Sequence, residues 1–278
     1  MIQTARQLKD KIRNLSNGES GKSQILIRNY AMERFLDRLS KSEYKSNFIL
    51  KGGMLVSSLV GLDKRGTMDI DTTVKNIPLN EADIRRIFAD ISGIDTEDNM
   101  SFEIKSVSDI MDDMDYPGLR FMIEAKLENM IIPLKIDIST DDIITPGAVE
   151  YEYKTMFGDA AIHIQAYNIE TILAEKIETI LSKGLLNTRM RDFYDIYILS
   201  LTCKYDSETL KEALKNTSEK RNSYDDIANY EHIIENLSND RAVEDLWLRY
   251  KNGHDYADTI EWCAVIETLT SICADVIV

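Results

Sequence analysis

The hydrophobic periodicity of this chain is helical throughout from about residue 168 onward. Upstream, three runs alternate apolar and polar side chains, as strands do when they bury one face: 101–109, 119–127 and 131–138. Downstream, apolar residues recur at helical spacing, and Asn168 suits the N-cap of a first helix. The sequence therefore predicts an α+β fold, with an α/β domain at 1–167 that includes N-terminal helices and an all-helical domain at 168–278.

Shorter patterns fill in the remaining elements. The α/β part is predicted to contain helices at 1–17, 23–41, 54–62 and 81–91, and strands at 48–50, 69–74 and near 161–166. Asn129-Met130 is placed in a tight turn between the last two alternating runs, which together form an antiparallel meander. Further helices are predicted at 189–201, 206–216, 223–237, 240–251 and 256–275.

Charge is unevenly distributed along the chain. The 278 residues carry a net charge of −15, which by itself argues against a nucleic-acid-binding protein. Residues 1–51 nevertheless hold 11 Lys/Arg against 5 Asp/Glu. This segment either attracts a polyanion locally or consists of ordinary solvated amphipathic helices.

Several classes of protein find no support in the sequence. No apolar run approaches the length that crosses a bilayer, and the N-terminus lacks a signal segment, so we expect a cytoplasmic protein without a membrane partner. The three cysteines show no CxxC spacing, which suits a reducing compartment. The three histidines are scattered, and neither a zinc site nor a Ser/His/Asp constellation is visible.

Two carboxylates stand out in the strand predicted at 69–74. Alternate residues of a strand project to the same side, so Asp69 and Asp71 lie together with Ile70 on the opposite face. Adjacent carboxylates repel unless a cation or protons intervene. Mg²⁺ takes oxygen ligands and commonly shares them with substrate phosphates. The pair therefore predicts a site for Mg²⁺ and a phosphate-containing substrate.

Gly52-Gly53 follows the strand at 48–50 and opens a helix. Glycine allows close backbone approach to a phosphate, and helix N-terminal amides favour anions. Either feature alone is weak, whereas Gly-Gly followed about fifteen residues later by Asp-x-Asp on a strand is much more specific.

Four ordered segments carry a resemblance to a known family. The first two are Leu50-Lys51-Gly52-Gly53-Met54-Leu55 and Arg65-x-Thr67-x-Asp69-Ile70-Asp71; the others are Ala174-Glu175-Lys176 and Arg189-x-Arg191-Asp192-Phe193-Tyr194-Asp195. The first pair resembles the first motif of DNA polymerase β-like nucleotidyltransferases. Together the four resemble the AbiEii group, the toxins of AbiE-type (type IV) toxin–antitoxin and abortive-infection systems. The resemblance implies a polymerase β-like domain with a mixed or antiparallel sheet, followed by helices.

The resemblance has limits. The broader superfamily usually has Gly-Ser where this chain has Gly52-Gly53, so a serine contact to phosphate is absent, although the AbiEii group tolerates Gly there. The match fades after about residue 201, and residues 1–44 match only as generic helices.

The resemblance also assigns roles to individual residues. Catalytic roles are implied for Asp69, Asp71, Lys176 and Asp192; nucleotide contacts for Lys51, Gly52, Gly53, Arg65, Thr67 and Arg189; and metal ligation for Asp69, Asp71 and Asp137.

Each assignment beyond the aspartate pair has an alternative. Asp137 is a metal ligand or base, or else a solvent-facing carboxylate at a strand end. Lys176 holds triphosphate as a point charge, or else is an exposed lysine paired with Glu175 or Glu178.

The remaining assignments are equally open. Asp192 and Arg189 belong to the active site or, with Asp195, to a network bracing the helical domain. Arg65 pairs with triphosphate or braces Asp71, and Thr67 bonds a phosphate or fixes the strand start.

The function implied is transfer of NMP from an NTP, with Mg²⁺, to the 3′ end of tRNA or another RNA, causing growth arrest or abortive phage infection. The antitoxin partner implied is a winged-helix repressor that need not contact the toxin. Two alternatives stay open: a protein or small-molecule acceptor such as an aminoglycoside, and a non-catalytic nucleotide-binding effector.

Overall fold

A computed structural model describes residues 2–110, 118–158 and 161–277. In chain order, the strands are β1 (Phe48–Lys51), β2 (Asp69–Val74), β3 (Met100–Ile110), β4 (Gly118–Leu127), β5 (Met130–Thr140), β6 (Val149–Lys154) and β7 (Ala161–Ala166). The helices are α1 (Ala5–Leu15), α2 (Ser20–Lys41), α3 (Gly52–Val60), α4 (Glu81–Ser92), α5 (Ile169–Lys183), α6 (Met190–Thr202), α7 (Ser207–Lys220), α8 (Tyr224–Ala228), α9 (Tyr230–Asn239), α10 (Arg241–Asn252) and α11 (Trp262–Val276). None of the helices in these ranges is long and apolar enough to cross a membrane.

The chain divides into two compact units. The first unit contains Met1–Ser58, Gly66–Asp142 and Val149–Ala166, and the second contains Leu59–Arg65, Ile143–Ala148 and Tyr167–Val278. The second unit thus includes two short segments that precede the helical region in sequence.

A seven-stranded sheet forms the centre of the first unit. Its strand order is β3-β4-β5-β2-β1-β7-β6. The β2–β5 and β1–β7 pairs are parallel, and the other four pairs are antiparallel. The α+β class and the mixed sheet are therefore confirmed, as is the antiparallel meander of β3, β4 and β5.

The turn of that meander lies one residue earlier than predicted. Leu127 pairs with Met130, so Glu128 and Asn129 form a two-residue loop, and Glu128 has φ +53°. Leu127 is fully buried, which keeps β4 in register to its end. The prediction placed Asn129-Met130 in the turn because asparagine commonly occurs there.

One strand, β6, was not predicted. It lies at the edge of the sheet, pairs only with β7 among the described strands, and exposes most of its side chains. A strand with little buried surface lacks the alternation that reveals the others.

The core of the first unit lies on one side of the sheet. Phe88 of α4 stacks on Phe35 of α2, with ring centroids 4.8 Å apart, and on Phe121 of β4, at 5.1 Å. Because successive strand residues point to opposite faces, the neighbour Arg120 projects to the other face. The polar residues of β2, β4 and β5 are collected there.

An aromatic cluster forms part of the core of the second unit. The ring of Trp262 lies 5.2 Å from that of Phe193 and 5.8 Å from that of Trp247. The helices predicted at 189–201, 206–216 and 240–251 are confirmed within a few residues.

Two of the predicted helices differ from the structure. The helix predicted at 223–237 is divided into α8 and α9 at Asn229, whose side-chain amide donates to the carbonyl of Asp225 and ends the first helix. The helix predicted at 256–275 begins only at Trp262.

Candidate active site

Three carboxylates lie on the open face of the sheet. Asp69 and Asp71 are half-buried on β2, whereas Ile70 between them is completely buried. The parallel pairing of β2 with β5 places Asp71 directly beside Asp137. The sheet therefore brings together the three residues that the sequence suggested as metal ligands.

Burial and the neighbouring carboxylates perturb the pKa of Asp71. Burial raises the pKa of Asp71, and the charges of Asp137 and Asp69 raise it further. Lys51 and the backbone N–H of Gly53 oppose the rise. A site that concentrates negative charge in this way favours the arrival of cations.

Two basic residues, Lys135 and Arg120, balance the carboxylates, and sequence reasoning missed both. The Lys135 ammonium lies 2.8 Å from Asp69 Oδ2 and 3.7 Å from Asp137 Oδ2. Arg120 forms a two-pronged pair with Asp137, at 2.9 Å through Nε and 2.8 Å through Nη2. Asp137 is therefore not a solvent-facing carboxylate at a strand end, since its side chain is only 17% exposed and lies among cations.

The sequence contained the signal for both residues. Lys135 lies two positions before Asp137 on one strand, which puts both side chains on the same face. The observed turn places Arg120 opposite Asp137. A turn at Asn129-Met130 would instead place Met122 there, so the misplaced turn concealed the pair.

Gly52 is required by the position of Asp71. Its φ is +65°, and a β-carbon at this position would lie 2.1 Å from Asp71 Oδ2. The next amide, of Gly53, donates to the same oxygen at 3.3 Å. In this structure the start of α3 thus holds an aspartate carboxylate, whereas the sequence suggested that the glycines make room for phosphate.

Lys51 and Thr67 are both buried in the first unit. The Lys51 ammonium donates to Asp142, whose carboxylate also accepts from the Ser139 hydroxyl at 2.7 Å. The Lys51 ammonium is therefore bound to Asp142, while its charge also acts on Asp71.

A second cluster, in the second unit, is centred on Lys176. Its ammonium lies 2.7 Å from Asp192 Oδ1 and 2.8 Å from Asp195 Oδ2. Burial would lower the pKa of Lys176, but the two carboxylates outweigh burial and raise it. Lys176 is therefore a charged lysine whose side chain is only 14% exposed, and the alternative of an exposed lysine paired with Glu175 or Glu178 is wrong.

Two arginines complete the second cluster. Arg65 is 2% exposed and its Nε lies 2.7 Å from Oδ1 of Asp195, which is fully buried. Burial opposes ionisation of Asp195, yet Lys176 and Arg65 lower its pKa. Arg189 is 57% exposed and lies 3.1 Å from Asp192. The cluster thus holds three cations, Lys176, Arg65 and Arg189, beside the two carboxylates Asp192 and Asp195.

The three aspartates on the sheet could bind a divalent cation. The carboxylate oxygens of Asp69, Asp71 and Asp137 are the donors that Mg²⁺ prefers, so the donor set fits a hard divalent cation. Among the described residues, no three acidic, histidine or cysteine side chains are already gathered around a common metal position. In this structure Lys135 and Arg120 supply positive charge beside Asp69 and Asp137.

Comparison with known proteins places these features in context. A family model described as "Nucleotidyl transferase AbiEii toxin, Type IV TA system" matches residues 34–268, well beyond the point where the motif resemblance fades. The crystal structure of JHP933 from Helicobacter pylori is similar, with a TM-score of 0.50 and 17% identity, over 91% of this chain and 90% of that chain.

A further similarity is to an antigenic nucleotidyltransferase-like protein from Paracoccidioides brasiliensis, with a TM-score of 0.42 and 15% identity, over 70% of this chain and 89% of that chain. None of the curated proteins compared with this chain matches it.

Proposed function

Since the chain belongs to the AbiEii family of type IV toxin nucleotidyltransferases, we propose that it is an Mg²⁺-dependent toxin that adds NMP to the 3′ end of an RNA, with tRNA as the leading acceptor. The observation that supports this proposal most directly is that Asp71 and Asp137 lie side by side on parallel strands, with Asp69 on the same face.

The reaction assigns a task to each carboxylate. The acceptor hydroxyl oxygen bonds to the α-phosphorus, the bond from that phosphorus to the β-bridging oxygen breaks, and pyrophosphate leaves with that electron pair. Asp137 takes the proton of the attacking hydroxyl. Asp69 and Asp71 would hold Mg²⁺, which would neutralise charge on the phosphate oxygens. Arg120 and Lys135 keep Asp137 in place.

The Lys176 cluster supplies positive charge for the triphosphate. A lysine ammonium is a compact charge suited to phosphate. Asp192 orients Lys176, and exposed Arg189 adds a second phosphate contact. Arg65, buried against Asp195, acts by holding that carboxylate against Lys176.

The first-motif residues before the aspartates have supporting roles. Gly52 and Gly53 would let the backbone at the start of α3 come close to the phosphates, because neither residue has a side chain. We assign contacts with the nucleotide to Lys51, at the end of β1, and to Thr67, just before β2. We assign nucleotidyl transfer to 1–167 and triphosphate binding by helices to 168–278.

The proposed biology follows the family. We expect expression of the protein to arrest growth, or to abort phage infection, in the cytoplasm. Its antitoxin is proposed to be a winged-helix repressor that controls transcription and needs no stable contact with the toxin.

The decisive experiment incubates the full chain with total RNA, Mg²⁺ and each labelled NTP in turn. We expect one or more NTPs to label a tRNA-sized RNA, and labelling to stop on addition of EDTA or in Asp69→Ala. Asp109→Ala is the matched control, because Asp109 is exposed on β3 of the same unit and should leave labelling intact.

Other outcomes would change the proposal. Equal labelling by wild type and Asp69→Ala would refute catalysis at this site. A labelled protein band or small molecule, with no labelled RNA, would replace RNA by that acceptor. Growth arrest retained by Asp69→Ala would favour a non-catalytic effector.

A further inference from the structure

The structure changes which of the early basic residues face solvent. Three of the 11 in residues 1–51 are buried beside carboxylates: Arg34 near Asp37, Arg38 with Asp98, and Lys51 with Asp142. Most of those that remain exposed or half-exposed lie in α1 and the first half of α2: Arg6, Lys9, Lys11, Arg13, Lys22 and Arg28. The exposed positive charge is thus concentrated before residue 29.

Helix α1 presents part of this charge as one row. Leu8 and Ile12 are buried and pack α1 against α2. Arg6, Lys9 and Arg13 are spaced three and four residues apart, so they share one exposed side of the helix. Asp10 is the only acidic residue on α1, so the row keeps a clear excess of positive charge. The chain is otherwise strongly acidic.

Arg28 links this surface to the segment that precedes β2. Its Nη1 lies 3.0 Å from the sulfur of Met68, which immediately precedes Asp69 and is 46% exposed. One turn earlier on α2, the Ile25 side chain lies 3.4 Å from where a β-carbon on Gly66 would be. Two contacts therefore fix α2 beside the segment that leads into β2.

The positive charge of Arg28 is not neutralised by an ion pair within the described residues. None of the carboxylates in the described ranges forms an ion pair with it, unlike Arg34, Arg38 and Lys51. A guanidinium has five donors in a planar fork that matches phosphate oxygens, and a thioether uses at most one of them.

We propose that Arg28 holds a backbone phosphate of the acceptor RNA close to its 3′ end, that the α1 row tracks the strand beyond, and that Met68 lies against the terminal base. This rests on the proposed RNA acceptor. A triphosphate is too short to use the row, since α1 alone is about 16 Å long at 1.5 Å per residue. The partner with matching chemistry is a single-stranded polyanion.

The test measures RNA labelling by the full chain while RNA and NTP are varied separately. Arg28→Gln is expected to raise KM for RNA about tenfold, as loss of one charge-assisted hydrogen bond predicts, and to leave KM for NTP unchanged. The slope of log kcat/KM for RNA against log salt should become shallower by about 0.7, the value for one phosphate contact on a single strand.

Three variants make the result specific. Arg28→Lys should restore the salt slope, because the charge is kept. Met68→Ala should raise KM for RNA without altering that slope. Lys41→Ala is the matched control on the same helix, since Lys41 pairs with Asp37 and lies at the other end of α2; it should change neither constant.

The outcomes separate this inference from the proposed function. If wild type labels RNA but Arg28→Gln keeps its KM for RNA, only the role of Arg28 is refuted. If Arg28→Gln raises KM for NTP instead, Arg28 binds triphosphate and the inference is wrong. If wild type labels no RNA at all, the proposed acceptor fails, and this inference falls with it.

Discussion

At Gly52 the carboxylate of Asp71 occupies the space that a side chain would need. We predict that Gly52→Ala destabilises the fold by on the order of 1–3 kcal/mol, because a β-carbon must displace Asp71 and alanine disfavours a φ of +65°. It should also abolish RNA labelling, since Asp71 loses its position.

Urea unfolding measures the effect of Gly52→Ala, and Gly21→Ala in α2 provides its control. Gly21 has no atom within 4 Å of its β-carbon position, so alanine should leave stability unchanged or raise it by about 0.5–1 kcal/mol. Equal effects of the two substitutions would contradict the steric explanation.

Glu33 of α2 is a buried carboxyl group outside the candidate site. Its Oε1 accepts from the Asn29 amide and from the backbone N–H of Met156, both at 2.9 Å, and its carboxyl group also interacts with the buried hydroxyl of Tyr153. Burial raises its pKa from 4.5 to about 7, although these bonds and the charge of Arg34 oppose the rise. The native protein therefore holds this proton more tightly than the unfolded chain does.

This difference predicts a pH dependence of stability. Between pH 4.5 and about 7 the unfolded chain has released the proton and the native protein has not. Glu33 therefore lowers the free energy of unfolding by about 1.4 kcal/mol for each pH unit of increase in that window. Its contribution is fully present below pH 4.5 and is lost by about pH 7.

Glu33→Gln should remove this dependence. Urea unfolding at pH 5 and pH 8 should show the variant gaining on wild type as pH rises, whereas Glu150→Gln, at an exposed position on β6, should run parallel to wild type. A difference between Glu33→Gln and wild type that stays constant with pH would refute the assignment.

Among the elements, α5 depends on Asn168, the N-cap residue that precedes it. The Asn168 side chain accepts from the N–H of Thr171 at 2.7 Å and donates to the carbonyls of Thr145 and Gly147. We predict that Asn168→Ala costs about 1–2 kcal/mol, and that Asn168→Asp recovers only the part due to the cap.

Thermal and urea unfolding of these variants can be compared with Asn80→Ala, which removes the N-cap of α4 at an exposed position. The loss at Asn80 should be the smaller one. If Asn168→Asp were as stable as wild type, the two bonds donated to the 145–147 segment would have no energetic role.

Prediction of the elements succeeded where burial imposes a clear period. The alternation of β4 and β5 and the capping asparagine of α5 are local signals, and each led to a correct element. Edge strand β6 has too little buried surface to show a period, and α8 and α9 are separated by a single asparagine bond to the backbone.

The candidate site could be predicted only in part, for a similar reason. Strand alternation was enough to align Asp69 with Asp71. Pairing Arg120 with Asp137 required the exact turn, and pairing Arg65 with Asp195 required a contact across 130 residues of sequence. No local pattern encodes such a distance, so the sequence offers triphosphate or Asp71 as the partner of Arg65 and not Asp195.

At the scale of the whole molecule, the division into units does not follow the order of the chain. Leu59–Arg65 and Ile143–Ala148 belong with the helices that come after Tyr167, although both segments interrupt the first unit in sequence. A boundary near residue 167 therefore separates the sheet from helices α5 to α11, but it leaves two short segments of the second unit on the wrong side.

During synthesis on a ribosome, Arg65 emerges long before Asp195, its carboxylate partner. Until α6 has left the exit tunnel, the growing polypeptide carries a guanidinium whose final surroundings do not yet exist. A translation product that stops at residue 167 keeps Arg65 but never gains Asp195, Asp192 or Lys176. A chain that is incompletely translated in this way therefore retains only Arg65 of the Lys176 cluster.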